Sequence, residues 1–526
     1  MNSFKIILFL CNWGPHAAFQ ELQDKRADIP AEIKMIRIPC SGRINKSLLF
    51  KPFEMGADGV LLIGCSPGSC RYGSGTDIAT RSTEDTRQIL ELLGLKKERL
   101  QLNTFLPDEP DALLQFLKNF CEEIKAIGHS PVPSEKQEHK TEESASLAEI
   151  ISSHDIYACQ DCGKCTSACP LTLSGKPFSP RALAGSIIAG DIESPSVQEG
   201  IWSCLTCGLC YDRCPSAVNF PDFIQNMRIF FKNKDKNGHE SHGGFFQSLM
   251  RTMTSPAVNT KRWEILPEDI RIDPDSKTLF FGGCAPYFDK YFNHNLGVSI
   301  SNTNMDSLRL LNFFDIVPSV LSNERCCGHD LLWTGDLDNF KILAGLNIDA
   351  MKNLGIEQVI TTCPECYRTL SHDYPEHGID VPFKVTHMYD ILETEISKGA
   401  VEFKETGKKI TFQDSCRLSR FAGRADLPRK LLQRLKPDIF KEMPETGSAA
   451  ICCGNTGWTG CDSHSKALQA KRLRQARATG SDLLITSCPK CQIHLKCAMQ
   501  DPFLGNELSM DVMDLTSMIA KTIYWK

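Results

Sequence analysis

Apolar residues in the first 128 positions recur in short runs, and each run is followed by a segment with helical periodicity. The four runs read KIILFLC, IKMIRIPC, GVLLIGC and ERLQLNTFL. Short apolar strands that alternate with helical segments are typical of a parallel sheet covered by helices on both faces. The pattern therefore predicts an α/β domain over residues 1–128.

The pattern changes three times further along the chain. Residues 129–147 are polar and charged with few large apolar side chains, which predicts a solvated linker. Residues 148–245 hold short helical pieces around two cysteine motifs and predict a small helical domain. Residues 255–400 and 401–526 repeat one order of features: a strand with Cys, then Cys-Cys-Gly, a helix, and a strand with Cys-Pro-x-Cys. We predict two α/β copies of one domain there.

Composition and charge narrow the class of protein. The 526 residues include 25 cysteines, and 59 basic against 64 acidic side chains give a net charge of −5. The chain has no Lys/Arg-rich run of the kind that binds nucleic acid, and its apolar runs fall short of the roughly 20 residues that span a bilayer. Its start, MNSFKIILFLCNWGPH, lacks a basic region and a small-residue cleavage site. We expect a soluble, cytoplasmic protein whose thiols are metal ligands rather than disulfides.

Two cysteine motifs, CQDCGKCTSACP and CLTCGLCYDRCP, share one spacing. The pattern C-x₂-C-x₂-C-x₃-C-P suits a [4Fe–4S] cubane, and in two-cluster ferredoxins the fourth Cys of each run ligates the other cluster. The alternative is zinc, which takes four ligands in two pairs, whereas each run here supplies three closely spaced thiols and a fourth. The predicted ligands are Cys159, Cys162, Cys165 and Cys214 for one cubane, and Cys204, Cys207, Cys210 and Cys169 for the other.

The duplicated region carries a second kind of cysteine set, with five thiols in each copy. Cysteines that end parallel strands lie at the carboxyl edge of the sheet, where α/β folds bind ligands. A disulfide with loose thiols is the alternative, but adjacent cysteines rarely bridge each other because the geometry is strained. The first set is Cys284, Cys326, Cys327, Cys363 and Cys366, and the second is Cys416, Cys452, Cys453, Cys488 and Cys491.

This pattern, C…CCG…CPxC, resembles the CCG domains of the catalytic subunit of heterodisulfide reductase. The resemblance implies a non-cubane [4Fe–4S] cluster in each copy, and a pair of such clusters that reduces a disulfide, so that the ten cysteines above are the catalytic residues. The family usually has His-Asp-Pro before the Cys that opens the second half, whereas this chain reads QDSC from Gln413 to Cys416.

The N-terminal domain has a third set of thiols. Cys11, Cys40 and Cys65 each follow a predicted strand, and Cys70 lies in the next loop. Four convergent thiolates suit a [2Fe–2S] cluster or zinc. The segments FLCNWG, RIPCSGRI and GADGVLLIGCSPGSCRY are similar to the delta subunit of methyl-viologen-reducing hydrogenase, which implies a [2Fe–2S] centre that passes electrons to a flavoprotein. Many members have a further Cys where this chain has Gly14.

Three cysteines stay outside these sets, and we predict that Cys121, Cys461 and Cys497 are not ligands. Cys121 lies on a predicted helix and is expected to be buried as a small apolar residue. Lys490 lies inside a Cys-Pro-x-Cys motif, where a cation would favour the reduced state of a cluster. No glycine-rich dinucleotide fingerprint or P-loop is present, so we expect no flavin or nicotinamide on this chain.

Together the three resemblances imply an oxidoreductase: an iron–sulfur subunit of a heterodisulfide reductase-like, electron-bifurcating complex. Electrons from a hydrogenase or formate dehydrogenase would pass through a separate FAD-containing subunit to the cubanes, and then to a disulfide of the CoM-S-S-CoB type. The second electron of each pair would leave on ferredoxin. The alternatives are an electron relay without its own substrate, which feeds another oxidoreductase or a quinone pool, and a zinc-loaded structural protein.

Overall fold

The computed structural model describes residues 3–133, 145–399, 401–435, 440–504 and 506–525. Most of the predicted linker, residues 134–144, therefore lies outside the described residues. The chain divides into two compact units. The first comprises the described parts of Met1–His139, His242–Glu264 and Pro286–His294, and the second comprises the rest. Among the residues described, we find no helix whose length and hydropathy would let it span a lipid bilayer.

The first unit is built on a four-stranded parallel sheet, as the alternating pattern predicts. The strands are β1 (Ile6–Cys11), β2 (Ile33–Ile38), β3 (Gly59–Gly64) and β4 (Leu100–Thr104), in the spatial order β2-β1-β3-β4. The helices are α1 (Gly14–Asp24), α2 (Lys46–Glu54), α3 (Gly75–Leu92) and α4 (Pro110–Ile127). Every residue of β3 is buried, because this central strand has helices on both faces. The α/β prediction for this region is confirmed.

Residues 145–241 form short helices around the two ferredoxin-type motifs. The helices are α5 (Leu147–Ser153), α6 (Lys164–Ala168), α7 (Pro170–Leu173), α8 (Pro180–Ile188), α9 (Pro195–Ser203), α10 (Leu209–Asp212) and α11 (Phe220–Lys232). Proline opens α7, α8 and α9, a position that lacks an intrahelical partner for the missing N–H. Ile187, Ile201 and Phe223 are fully buried and hold these pieces together.

The segment after this helical region returns to the first unit. Its helix α12 (Phe245–Thr252) packs on α2. Nε of Arg251 donates to the Glu54 carboxylate at 2.8 Å, and the rings of Phe245 and Phe50 lie 5.2 Å apart. The predicted domain limits at 245 and 255 stay predictions, and the structure adds a contact between this segment and α2 of the N-terminal domain that they do not include.

The duplicated region contains two three-stranded parallel sheets with the same strand order. The first consists of β5 (Thr278–Phe281), β6 (Gln358–Thr361) and β7 (Lys384–His387), and the second of β8 (Ile410–Gln413), β9 (Leu483–Thr486) and β10 (Asp511–Asp514). In both, the central strand precedes Cys-Pro-x-Cys. The apolar pattern does not indicate β7 and β10, because these four-residue edge strands are partly exposed and lack a continuous apolar run.

The helices of the duplicated region follow the strands in chain order. They are α13 (Ala285–Leu296), α14 (Ser301–Phe313), α15 (His329–Trp333), α16 (Leu337–Asn353), α17 (Pro364–Arg368), α18 (Tyr374–Glu376), α19 (Met388–Ser397), α20 (Leu427–Leu435), α21 (Ser463–Ala478), α22 (Pro489–Met499) and α23 (Leu515–Thr522). The helices α16 and α21 are the two that the repeated pattern predicts between Cys-Cys-Gly and Cys-Pro-x-Cys. Parallel sheets and many helices in this second region agree with the predicted mixed fold.

Candidate metal centres

Four thiols of the first unit converge at the carboxyl ends of its parallel strands. Cys11 ends β1, Cys40 follows β2 and Cys65 follows β3, and all three are buried. Sγ of Cys11 lies 3.7 Å from Sγ of Cys65. Burial raises the pKa of Cys65 to about 12, and the nearby thiols of Cys11, Cys70 and Cys40 raise it further. The structure thus brings together the four cysteines that the sequence analysis selects in this domain.

Two glycines border these sulfurs. A Cβ at Gly75 would lie 2.7 Å from Sγ of Cys70 and 2.9 Å from Sγ of Cys40, so only glycine leaves the sulfurs unobstructed. A Cβ at Gly14 would lie 3.8 Å from Sγ of Cys65. Position 14 therefore faces the same thiols, and with glycine there the local donor set consists of the four cysteines.

The two ferredoxin-type loops have the same backbone shape. In each, the residue before the second Cys and the glycine after it have positive φ: 51° at Asp161 and 77° at Gly163, and 43° at Thr206 and 80° at Gly208. A non-glycine residue rarely adopts this conformation and keeps it only where the surroundings fix it. The two motifs are therefore geometric copies and not only sequence copies.

Cys169 of the first motif lies among the thiols of the second. Burial raises the pKa of Cys169 to about 11, and the thiol of Cys207 adds to the shift. Burial also raises the pKa of Cys210. The nearby thiols of Cys204, Cys207 and Cys169 raise it further. The position of Cys169 agrees with the crossed arrangement of two-cluster ferredoxins, and the pairing of Cys214 with the first motif stays a prediction. The remaining thiols lie nearer the surface: they are Cys159, Cys162, Cys165 and Cys214.

The five thiols of each duplicated set form a chain of contacts with the same order. In the first set the order is Cys284, Cys326, Cys327, Cys366 and Cys363. In the second it is Cys416, Cys452, Cys453, Cys491 and Cys488. No disulfide joins cysteines in the part of the chain that the structure describes. Ten sulfurs thus lie in two equivalent groups.

One thiol in each group is biased toward the thiolate. Hydrogen bonds from Cys284 and Cys327 lower the pKa of Cys326 well below its usual range. Hydrogen bonds from Cys452 and Cys491 lower the pKa of Cys453 to about 6. Sulfur-only donor groups that are mostly buried suit soft, thiolate-ligated metals such as iron in iron–sulfur clusters or zinc.

The two Cys-Pro-x-Cys segments meet through their variable residues. Glu365 of the first copy and Lys490 of the second occupy equivalent positions, and Nζ of Lys490 lies 2.7 Å from a Glu365 carboxylate oxygen. The same ammonium binds Asp330. Burial opposes the charged form of Lys490, but the two carboxylates outweigh it and raise its pKa well above its usual value. Complementary charge therefore joins the two copies at this point.

His329 extends this buried network. Its Nε2 lies 3.5 Å from the Glu365 carboxylate, and its Nδ1 lies 3.2 Å from Oγ1 of Thr369. The ligand atoms of His329, Asp330 and Glu365 are close enough to hold a metal ion. Because the ammonium of Lys490 already pairs with both carboxylates, we interpret the group as an ion-pair network.

The sequence pattern did not indicate two residues that lie beside the second five-thiol set. Nδ1 of His494 lies 3.3 Å from Sγ of Cys453, and His494 lies three residues after Cys491 on α22, a spacing that could have indicated it. Gln413 departs from the family pattern and is fully buried. It donates to the carbonyls of Asp414 and Ile451 and accepts from Nε of Arg472 at 2.7 Å.

The three cysteines predicted not to be ligands lie elsewhere. Cys121 is buried in the core of the first unit, on α4, and burial raises its pKa to about 11. Cys461 is exposed. Cys497 is half-buried, and Nζ of Lys466 lies 3.2 Å from its Sγ.

Three family models match successive segments of the chain. Residues 6–128 match the delta subunit of methyl-viologen-reducing hydrogenase, and residues 155–218 match a 4Fe-4S dicluster domain. Residues 278–371 and 410–496 each match a cysteine-rich domain. The matched segments contain all 22 cysteines assigned above to the thiol sets.

Several curated proteins are similar to parts of this chain. The B subunit of the fumarate reductase (CoM/CoB) of Methanothermobacter marburgensis is 26% identical over 69% of this chain and 72% of its own. The D subunit of the dihydromethanophenazine:CoB–CoM heterodisulfide reductase of Methanosarcina barkeri is 26% identical over 69% of this chain and 93% of its own. The EtfAB:quinone oxidoreductase of Syntrophomonas wolfei is 28% identical over 43% of this chain and 31% of its own. The chain thus joins a hydrogenase-delta-like segment, a dicluster segment and two cysteine-rich segments in one polypeptide.

Proposed function

We propose that this chain is the iron–sulfur subunit of a heterodisulfide reductase-like oxidoreductase. The observation that carries the proposal is the identical order of sulfur contacts in the two five-thiol sets. A thiol set that no longer bound metal would not need to keep this arrangement of sulfurs. The relatives named as the D subunit of heterodisulfide reductase, from three Methanosarcina species, support the same assignment.

Each thiol set would hold one cluster. The first-unit thiols would hold a [2Fe–2S] cluster, the two crossed ferredoxin sets would hold [4Fe–4S] cubanes, and the two five-thiol sets would hold non-cubane [4Fe–4S] clusters. When bound, such clusters supply one-electron storage and iron atoms with affinity for thiolate sulfur. The donor chemistry fits, because every predicted ligand is a cysteine and each set is gathered from two or more segments of the chain.

The chain itself would bring the electron carriers close and exclude water between them. Cys204 and Cys207 of the second ferredoxin motif share one buried core with Cys452, Cys453 and Cys488 of the second five-thiol set. Electrons from the cubanes would therefore reach the second set first. The net reaction is RS–SR′ + 2e⁻ + 2H⁺ → RSH + R′SH, with a disulfide of the CoM-S-S-CoB type as the candidate substrate.

The N-terminal segment is the basis for the partner proteins that we propose. We infer that its cluster accepts electrons from a hydrogenase or formate dehydrogenase and passes them to a separate FAD-containing subunit. That flavoprotein would bifurcate each electron pair, sending one electron to the cubanes and the other to ferredoxin. In the assembled complex we expect ferredoxin reduction only while the disulfide is consumed, and ferredoxin reduction without disulfide would contradict the bifurcation.

A second candidate is an electron relay without a substrate of its own. The similarity to an EtfAB:quinone oxidoreductase favours it, because that name describes transfer between two redox partners. The buried ion pair between the two Cys-Pro-x-Cys segments also favours it, because charged side chains occupy space where the two copies meet.

The test is anaerobic purification followed by iron and sulfide analysis and turnover with reduced viologen dye and a heterodisulfide. Disulfide reduction that is lost in Cys491→Ala and kept in Cys461→Ala supports the reductase. Clusters that are all reducible, with no turnover, establish the relay. Zinc in place of iron rejects both proposals.

A further inference from the structure

Three arginines from two parts of the chain converge on the second ferredoxin-type loop. Arg228 donates to the carbonyl of Cys204 at 2.6 Å, and Arg420 donates to the carbonyl of Cys207 at 2.7 Å. A guanidinium nitrogen of Arg417 donates to the carbonyl of Thr206 at 2.9 Å. Arg228 and Arg417 are almost fully buried.

The partners of these guanidinium groups are neutral. Arg228 also donates to the carbonyls of Ile201, Trp202 and Trp333. Within the described ranges, no carboxylate lies at ion-pair distance from Arg228, Arg417 or Arg420. The charge of Arg417 contributes to lowering the pKa of Glu365 and of Asp373, so these carboxylates lie near it but beyond ion-pair distance. A buried cation without a paired anion is costly.

Two other arginines of the second unit, Arg368 and Arg429, are paired with acids. Arg368 lies 3.0 Å from Asp373, and Arg429 lies 2.8 Å from Asp414. Arg228 donates to the carbonyl of Cys204 and Arg417 donates to the carbonyl of Thr206, so two buried positive charges lie beside these thiols. An anion at the thiols would stabilise both charges.

The first ferredoxin-type loop lacks this arrangement. Its neighbouring arginine, Arg181, donates to the carbonyl of Asp161 and also pairs with the Asp161 carboxylate at 2.8 Å. Both side chains are substantially exposed. Two loops of the same backbone shape therefore differ in their charged neighbours. The buried loop contacts three arginines that have no carboxylate at ion-pair distance, whereas the exposed loop has Arg181, which is paired with Asp161, and Lys164, which is exposed to solvent.

We propose that Arg228, Arg417 and Arg420 are positioning residues that give the buried cubane a more positive reduction potential than the exposed cubane. The inference rests on the proposed function, because it requires clusters on both loops. A cluster with four thiolate ligands becomes more negative when it is reduced, and nearby cations stabilise that state more than the oxidised one. Electrons thus move energetically downhill, from the exposed loop toward the buried one.

Arg417 and Arg420 also lie next to the second five-thiol set. Arg417 directly follows Cys416, and Arg420 also donates to the carbonyls of Ser448 and Ala450, just before Cys452. The positive charge therefore lies between the buried cubane site and the next set of thiols. This placement gives the electron path a direction within the second unit.

The test is an anaerobic redox titration followed by EPR on the full chain. Arg420→Gln keeps a donor for the carbonyl of Cys207 but removes the charge. We expect the reduced-to-oxidised ratio of one cubane to fall about threefold to tenfold at fixed potential. This corresponds to a reduction potential lowered by roughly 30–60 mV for a one-electron centre. The ratio of the other cubane should stay unchanged. Arg420→Lys should restore most of the shift, and Arg181→Gln should leave the buried cubane unshifted. Iron-loaded Arg420→Gln with unshifted cubanes, or with both shifted equally, overturns the inference.

A second variant keeps the inference testable should Arg420→Gln not retain iron. Cys162→Ala removes a ligand from the exposed cubane only. The cubane signal that remains should be the one with the more positive potential in the wild-type titration, and survival of the more negative one overturns the inference. A wild-type protein without iron–sulfur signals contradicts the proposed function instead, so the two failures are distinguishable.

Discussion

Lys490 is the residue whose removal tests the interior of this protein most directly. Its ammonium binds Glu365 at 2.7 Å and also Asp330, and all three side chains are at most 12% exposed. Lys490→Met keeps the length of the side chain but leaves two carboxylates in a buried site without their cation. Removing one partner of a buried ion pair costs about 3–5 kcal/mol because the other charge stays uncompensated.

This cost predicts a measurable loss of thermal stability. At about 2 °C per kcal/mol, the low end for large domains, the Tm of iron-loaded Lys490→Met should fall by roughly 6–10 °C in anaerobic calorimetry. Lys408→Met is the matched control, because Lys408 pairs with Asp511 at 2.7 Å on the surface, with 45% and 68% of the side chains exposed. Exposed pairs contribute about 0–1 kcal/mol, so this variant should lose about 2 °C at most.

The double variant Lys490→Met/Glu365→Gln separates charge from packing. It removes one of the two uncompensated carboxylates, so it should recover part of the lost Tm, as expected for coupled residues. Iron content is measured for each variant so that cluster loss is not mistaken for loss of the ion pair. A Lys490→Met protein with full iron content and an unchanged Tm would refute the reasoning, as would a double variant less stable than the single one.

Three further predictions follow from other parts of the structure. Gly75→Ala places a Cβ 2.7 Å from a cysteine sulfur, so metal analysis should show that this variant has lost the iron of the N-terminal site. Gly185→Ala is the control, because the space around Gly185 is open, and it should keep all its iron. Burial raises the pKa of Asp514 to about 7, whereas the pKa in the unfolded chain is about 3.9. As pH rises from about 4 to 7 the unfolded chain loses this proton first, so the free energy of unfolding falls by about 4 kcal/mol. The Tm advantage of Asp514→Asn over wild type should grow over that range and level off above it, and a constant difference would contradict the shift. Gln413→Leu leaves buried polar partners unpaired and should cost about 1–3 kcal/mol in urea unfolding, and no change would show that water replaces the amide.

The sequence alone predicted much of this architecture, because its signals are local. The strand runs that become β1, β3 and β9 are continuous apolar segments, and each is followed by a cysteine at a strand end. The spacing of the ferredoxin motifs is equally local, since three ligands lie within seven residues. The edge strands β7 and β10 were missed because they are held by pairing with a neighbour rather than by their own composition.

The charges around the thiols could not be predicted in the same way. Glu365 and Lys490 occupy equivalent places in two copies of one motif, but nothing in either copy shows that the two side chains meet. Arg228 lies on a helix with no distinguishing pattern, and only the folded chain brings it to the carbonyl of Cys204. Contacts of this kind depend on packing between segments more than a hundred residues apart or between separate helices.

The sequence by itself therefore determined which residues can donate sulfur and which segments carry them. The tertiary structure decided which thiols share a set across segments, which loop is buried and where the interior charges lie. The physical reason is that ligand type and spacing are properties of short stretches of chain, whereas burial and electrostatic environment are set only when distant segments pack together.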